Sequence, residues 1–142
     1  MTIASILKSK GGEIVSVPAD TSVTDVVARL HQYRIGAVLV TEAGRPVGIV
    51  SERDIVKCLH ERGSAILEAT ASAIMTSPVV LASPDETVAE AMATMTERRI
   101  RHLPVVDRGA IVGIVSIGDL VKRRIEDAEN EAGLLKEYIS AA

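Results

Sequence analysis

A single cysteine, Cys58, rules out an internal disulfide and any cysteine-built metal cage. Tryptophan and phenylalanine are missing, and Tyr33 and Tyr138 are the only aromatic rings, so single-stranded nucleic acid would find no stacking platform. Excess charge of either sign is missing as well. Against 16 Lys and Arg stand 19 Asp and Glu, a formal charge of −3 that gives no bulk attraction to nucleic acid or to an acidic membrane. No apolar run approaches the roughly 20 residues that span a bilayer. The segment Met1 to Gly12 carries two lysines but no long apolar stretch or cleavage-like site, so a signal peptide is not expected. His31, His60 and His102 lack metal-ligand spacing, and no nucleophile stands beside a base. Gly11-Gly12 lacks the flanking pattern of a phosphate loop. What remains is aliphatic: 18 Val and 14 Ile in 142 residues point to substantial strand content and a sizeable core. A cytoplasmic α/β or α+β protein without catalytic metal is the expectation.

The chain repeats itself, a property to settle before any other. With an offset of 65 residues, Ile14–His60 lies on Val79–Ile125 without a gap, and 16 of 47 pairs are identical. The densest stretch sets Val47-Gly48-Ile49-Val50-Ser51 on Val112-Gly113-Ile114-Val115-Ser116, followed by Asp54 on Asp119. The chain is two copies of one unit.

Each copy reads as β-α-β-β-α. An apolar piece (Ile14–Val17, Val79–Ala82) precedes a helix-start signal, Ser22 with Asp25 or Thr87 with Glu90. Val23, Val26, Val27 and Leu30, and Val88, Ala91, Met92 and Met95, then recur at helical spacing. Two β-type runs follow as a hairpin: Ala37–Thr41 with Pro46–Val50, and His102–Val106 with Ile111–Val115. A second helix starts after Ser51 and after Ser116. Cys58 in that helix reads as a packed thiol, and His31 and His60 as ordinary helix residues. One copy alone would be marginal, so the two are expected to pack as a pseudo-twofold pair. The boundaries read as repeat 1 over 6–62, a connecting segment with a short helix or two over 63–78, the repeat 2 core over 79–125, and a helical tail over 126–142. In the tail, Val121, Ile125, Ala128, Ala132, Leu135 and Ile139 form a narrow apolar seam at steps of 4, 3, 4, 3 and 4. It extends beyond the repeat that would cover it, which favours a second subunit over the chain's own domain as its cover.

The doubled motif is where chemistry could reside. Gly48 permits close packing at the strand. Ser51 stands where an N-cap belongs, next to the positive end of a helix. Asp54 follows three residues on. A hydroxyl and a carboxylate beside free amides suit a sugar diol next to a phosphate, the chemistry by which an acidic residue binds ribose in dinucleotide folds. A lone Ser-x-x-Asp is most simply a capping box; two at the same place, each after Gly-Ile-Val, point further.

With Gly-Ile-Val-Ser-x-x-Asp closing each copy, the sequence from about Ile6 to Ile125 resembles a CBS domain pair, the Bateman module named after cystathionine β-synthase. The resemblance implies a regulatory module rather than an enzyme. It implies two clefts between the repeats that bind adenosine-containing ligands: AMP, ADP, ATP, NAD(H) or S-adenosylmethionine. Asp54 and Asp119 would hold ribose hydroxyls, with Ser51 and Ser116 near ribose and phosphate. Ile35, Gly36 and Ala37 would frame a base, matched in copy two by Arg101, His102 and Leu103, before Pro104. If basic groups reach across, Arg53, Arg101 and His102 gather around the Asp54 cleft, which would then prefer the more phosphorylated nucleotide. A solvated basic face accounts for Arg98, Arg99 and Arg101 equally well. A homodimer and a regulated protein partner are implied, with no membrane and no nucleic acid. The alternative is a ligand-free assembly module that docks a partner protein.

Overall fold

The computed structural model describes residues 1–11 and 14–141, so the Gly12 half of the Gly11-Gly12 pair lies outside the described residues. In chain order the elements are α1 (Ile3–Lys10), β1 (Ser16–Pro18), α2 (Val23–Tyr33), β2 (Ala37–Glu42), β3 (Arg45–Ser51) and α3 (Glu52–Arg62). A 3-10 helix (Gly63–Glu68) and α4 (Ala71–Ile74) fill the connecting segment, and α5 (Val88–Arg98), β4 (His102–Asp107), β5 (Ala110–Ser116) and α6 (Ile117–Ala141) complete the chain. The chain divides into two units: Glu13–Val80, and Met1–Gly12 together with Leu81–Ala142. The first helix, the start of which lies ahead of the 6–62 boundary read for repeat 1 and the rest inside it, thus belongs with the second repeat, and the connecting segment belongs with the first.

In the first-repeat unit, Ser22 caps α2 by accepting from the Asp25 amide. Val23, Val26 and Leu30 turn one face of α2 into the core, where they meet Val38 and Val40 of β2, Val50 of β3 and Ile55 of α3. Arg34 ends α2 in the left-handed conformation, and Ile35 N–H reaches back to Leu30 O at 3.1 Å. That six-to-one closure turns the chain straight into β2. The β2–β3 hairpin closes over Ala43-Gly44, both at positive φ, the turn whose twist matches paired strands. Ile66, Ala71 and Ile74 of the connecting segment seal the same core.

The second-repeat unit repeats these devices. Thr87 and Glu90 form a full capping box on α5, Arg99 ends the helix left-handed, and Arg108-Gly109 turns the β4–β5 hairpin. Here α1 takes the place that the connecting segment holds in the other unit. Ile3 and Ile6 are buried, and Leu7 lies over Gly113, where a β-carbon would run into its side chain. Met75 covers Gly48 in the same way. Each motif glycine is therefore the floor for an aliphatic or thioether side chain arriving from outside its own repeat.

Two strand expectations are corrected. The first strand covers Ser16–Pro18, not Ile14–Val17, because its parallel register with Leu39, Val40 and Thr41 starts at Ser16; Val15 contributes only a carbonyl, to Leu39 N–H. Val79–Ala82 forms no strand, and only Ala82 bridges to Val105. The reason is two prolines. Pro104 occupies the position of Leu39 and has no N–H to donate to the carbonyl matching that of Val15, and Pro84 occupies the position of Ala19, whose N–H donates to Thr41 O in the first unit. The second sheet therefore has two strands where the first has three.

Candidate functional site

Both copies of the Ser-x-x-Asp motif sit at a strand-to-helix junction. Ser51 ends β3 and caps α3; its hydroxyl accepts from Asp54 N–H at 3.3 Å, while its own N–H donates to Asp54 Oδ2 at 2.8 Å. The Ser51 hydroxyl also donates to that oxygen at 2.9 Å. Thr76, just beyond α4, donates to Asp54 Oδ1 at 3.0 Å. Thr76 is held there by paired backbone bonds with Ile49, at 2.8 and 3.1 Å. The carboxylate is fixed on both oxygens yet remains half-buried rather than enclosed.

Ser116 and Asp119 repeat the box at the start of α6, with Ser116 N–H to Asp119 Oδ2 at 2.8 Å and Asp119 N–H to the Ser116 hydroxyl at 3.2 Å. The third partner differs. Lys10 Nζ of α1 lies 2.8 Å from Asp119 Oδ2 and donates to Ile114 O at 2.9 Å. Burial alone would raise the Asp119 carboxyl, but the Lys10 ammonium and the Ser116 donors outweigh it and hold the group below its ordinary value.

The remaining candidates assemble around these boxes unit by unit. Gly36 O accepts from Glu52 N–H at 2.9 Å, and Ala37 is paired with Ser51, so 35–37 lies beside the first motif. Arg101 O accepts from Ile117 N–H at 2.9 Å, and His102 is paired with Ser116 in the second unit. Arg53 is exposed in the first turn of α3, and Arg101 is exposed ahead of β4. Leu103 and Pro104 are buried in β4, where they contribute strand and core. Ile35 also lines an open groove of about 560 Å³ between α2 and α3, with Leu30, Arg34, Glu52 and Ile55. Ser51 and Asp54 are not part of that groove's lining.

Lys10 and Thr76 were not found from the sequence. Both precede the 14–60 and 79–125 registers in which the copies align, so self-comparison gives no signal for them. The one available hint is the resemblance of Ile3-Ala4-Ser5-Ile6-Leu7 to Ala71-Ser72-Ala73-Ile74-Met75 ahead of each copy. Among the described residues no cluster of His, Cys, Asp and Glu could hold a metal ion, and no helix is long and apolar enough to cross a membrane.

Residues 6–61 and 71–126 each match the CBS domain family. The "CBS domain-containing protein CBSX3, mitochondrial" of Arabidopsis thaliana is 33% identical over 147 residues, covering 97% of this chain and 71% of that protein. Among solved structures, the CBS-domain containing protein ATU1752 from Agrobacterium tumefaciens superposes with a TM-score of 0.84 at 41% identity, over 87% of this chain and 92% of that one. The CBS domain protein PAE2072 from Pyrobaculum aerophilum, complexed with AMP, gives 0.73 at 31% identity, over 84% and 89%. The CBS domain pair of protein MJ0100, in complex with 5-methylthioadenosine and S-adenosyl-L-methionine, gives 0.79 at 26% identity, over 89% and 98%.

Proposed function

Because the chain belongs to the CBS-domain family, we propose that it is a regulatory module, not an enzyme, that binds an adenosine-containing ligand at its two Ser-x-x-Asp motifs and works as a homodimer. The observation that carries this reading is the doubled junction. Each unit presents one carboxylate, pinned at a helix start, with its serine hydroxyl beside it. A carboxylate offers about four acceptor positions: Asp119 has two taken and keeps two for the O–H donors of a ribose diol, while Asp54 has three taken and gains its second when the Ser51 hydroxyl turns away to the ligand. The helix N-terminus beside it favours a phosphate. AMP in the Pyrobaculum protein and methylthioadenosine with S-adenosylmethionine in the MJ0100 pair support adenosine as the shared chemical element of the ligand. ADP, ATP and NAD(H) belong to the same proposal, and so does residence in the cytoplasm. Regulation follows only if the ligand binds one arrangement of the module more tightly than another, since equal affinity shifts no equilibrium.

A thermal-shift panel of AMP, ADP, ATP, NAD⁺, NADH, methylthioadenosine and S-adenosylmethionine tests the reading. A ligand at 100 times its Kd adds about 2.7 kcal/mol per site, which raises the melting temperature by several degrees. A rise with adenosine compounds, absent with inorganic phosphate, is the expected result. The capping boxes are complete without any ligand, which favours as second reading an assembly module that docks a partner protein. No shift at millimolar concentrations would select it.

A further inference from the structure

The last helix carries a pattern that its own unit does not use. From Ala128 to Ala141 every residue of α6 is exposed, a stretch of 14 residues or about 21 Å of helix. A helix of this length is marginal in water without a packed face. Its apolar residues repeat at the coiled-coil spacing. Ile125, Ala132 and Ile139 take the a positions and Val121, Ala128 and Leu135 the d positions, and Val121, Ile125, Leu135 and Ile139 are between 39% and 66% exposed. Leu134 and Tyr138 are exposed too, but the seam through them would include Asp127 and Glu131 and is no apolar stripe.

The flanking charges identify both the occupant and its direction. Lys122, Glu129 and Lys136 take the e positions, with Arg124 and Glu131 at g. In a parallel pair each g residue faces the e residue five positions on in the partner, which sets Arg124 against Glu129 and Glu131 against Lys136. Both contacts are attractive, and symmetry makes each of them twice. In an antiparallel pair the e positions face each other and so do the g positions, which sets Lys122 against Lys136, Glu129 against Glu129 and Glu131 against Glu131. All of those repel.

We propose that α6 pairs with α6 of a second copy as a parallel coiled coil, with Val121, Ile125, Leu135 and Ile139 at its centre and the Arg124–Glu129 and Glu131–Lys136 pairs setting its direction. Ala128 and Ala132 add little apolar area, so orientation rests on the charges. The two-fold axis then runs along the helices, and both chains leave at one end. This specifies the geometry of the homodimer in the proposed function and rests on that part of it; it does not depend on nucleotide.

Oxidative cross-linking of the full chain in a Cys58→Ala background tests it. Ile139→Cys should form disulfide-linked dimers, whereas Glu137→Cys on the outer face should form few. Lys136→Glu should weaken dimerisation about 4- to 30-fold in sedimentation, and adding Glu131→Lys should restore it. The same Lys136→Glu change would strengthen an antiparallel pair. A dimeric mass with no preference for the Ile139→Cys link, or with tighter association in Lys136→Glu, overturns the parallel pairing and leaves the homodimer standing. A monomeric mass overturns both.

Discussion

Lys10 and Asp119 are 109 residues apart in sequence and joined at 2.8 Å, so the first helix is tied to the motif carboxylate of the second repeat. The contact has a definite pH signature. Asp119 titrates below its ordinary value of 3.8 in the folded chain, so between those two values the unfolded chain binds more protons. The stability contributed by the pair is complete above the unfolded value and is lost as pH falls through the lower folded one. Lys10→Met should cost about 0.5–1 kcal/mol at pH 6, the scale of a partly exposed ion pair. The gap between the urea midpoints of the two proteins should narrow progressively as pH falls below 3.8; a gap that stays constant with pH would show that Lys10 stabilises by packing alone.

Asp54 has two separable duties, capping α3 and presenting a charge. Asp54→Ala removes both and should lower stability by about 1 kcal/mol, whereas Asp54→Asn keeps an acceptor for Ser51 N–H and should cost less than half of that. Both variants should lose roughly 10- to 150-fold in affinity for an adenosine ligand, because each removes a charged hydrogen-bond partner. Chemical denaturation beside ligand titration separates the two duties.

Gly113 and Gly48 are floors for Leu7 and Met75, so an added methyl group overpacks. Gly113→Ala should cost about 1–3 kcal/mol. Gly48→Ala should cost at least as much, because the added methyl meets the Met75 Cγ and Cβ as well as its sulfur, whereas at Gly113 only the far end of Leu7 is in the way. Leu7→Ala should recover part of the Gly113→Ala loss in a double-mutant cycle; strict additivity would mean that the two do not touch.

Gly133 lies in the exposed part of α6 with nothing near its missing β-carbon. Gly133→Ala should therefore stabilise that helix by about 1 kcal/mol and increase the helical circular dichroism signal. An unchanged signal would place the end of the helix before residue 133.

The sequence was most informative where one local rule decides structure. Alternation, capping pairs and the 65-residue register located both hairpins, the capping boxes at Thr87 and Ser51, and the helix starts after Ser51 and Ser116. It was silent where distant segments decide. Which repeat α1 and the connecting segment complete depends on packing, so Lys10, Thr76 and the coverings of the two glycines stayed hidden. Val79–Ala82 shows a third kind of difference. It has the composition of a strand, but Pro104 on the partner strand and Pro84 just beyond the segment remove two of the N–H donors that the first unit uses. Of the candidate site, the paired Ser-x-x-Asp motifs were legible by repetition, and the side chains that bond to their carboxylates, Thr76 and Lys10, were not.

The most direct measurement is calorimetric titration of AMP into the wild-type chain and into the Asp54→Asn, Asp119→Asn double variant. The account predicts saturable binding to the wild type and a loss of about 10-fold or more in the variant, with its fold intact by circular dichroism. Binding of unchanged strength in the double variant, or no heat with a folded wild type at millimolar AMP and at millimolar S-adenosylmethionine, would contradict it.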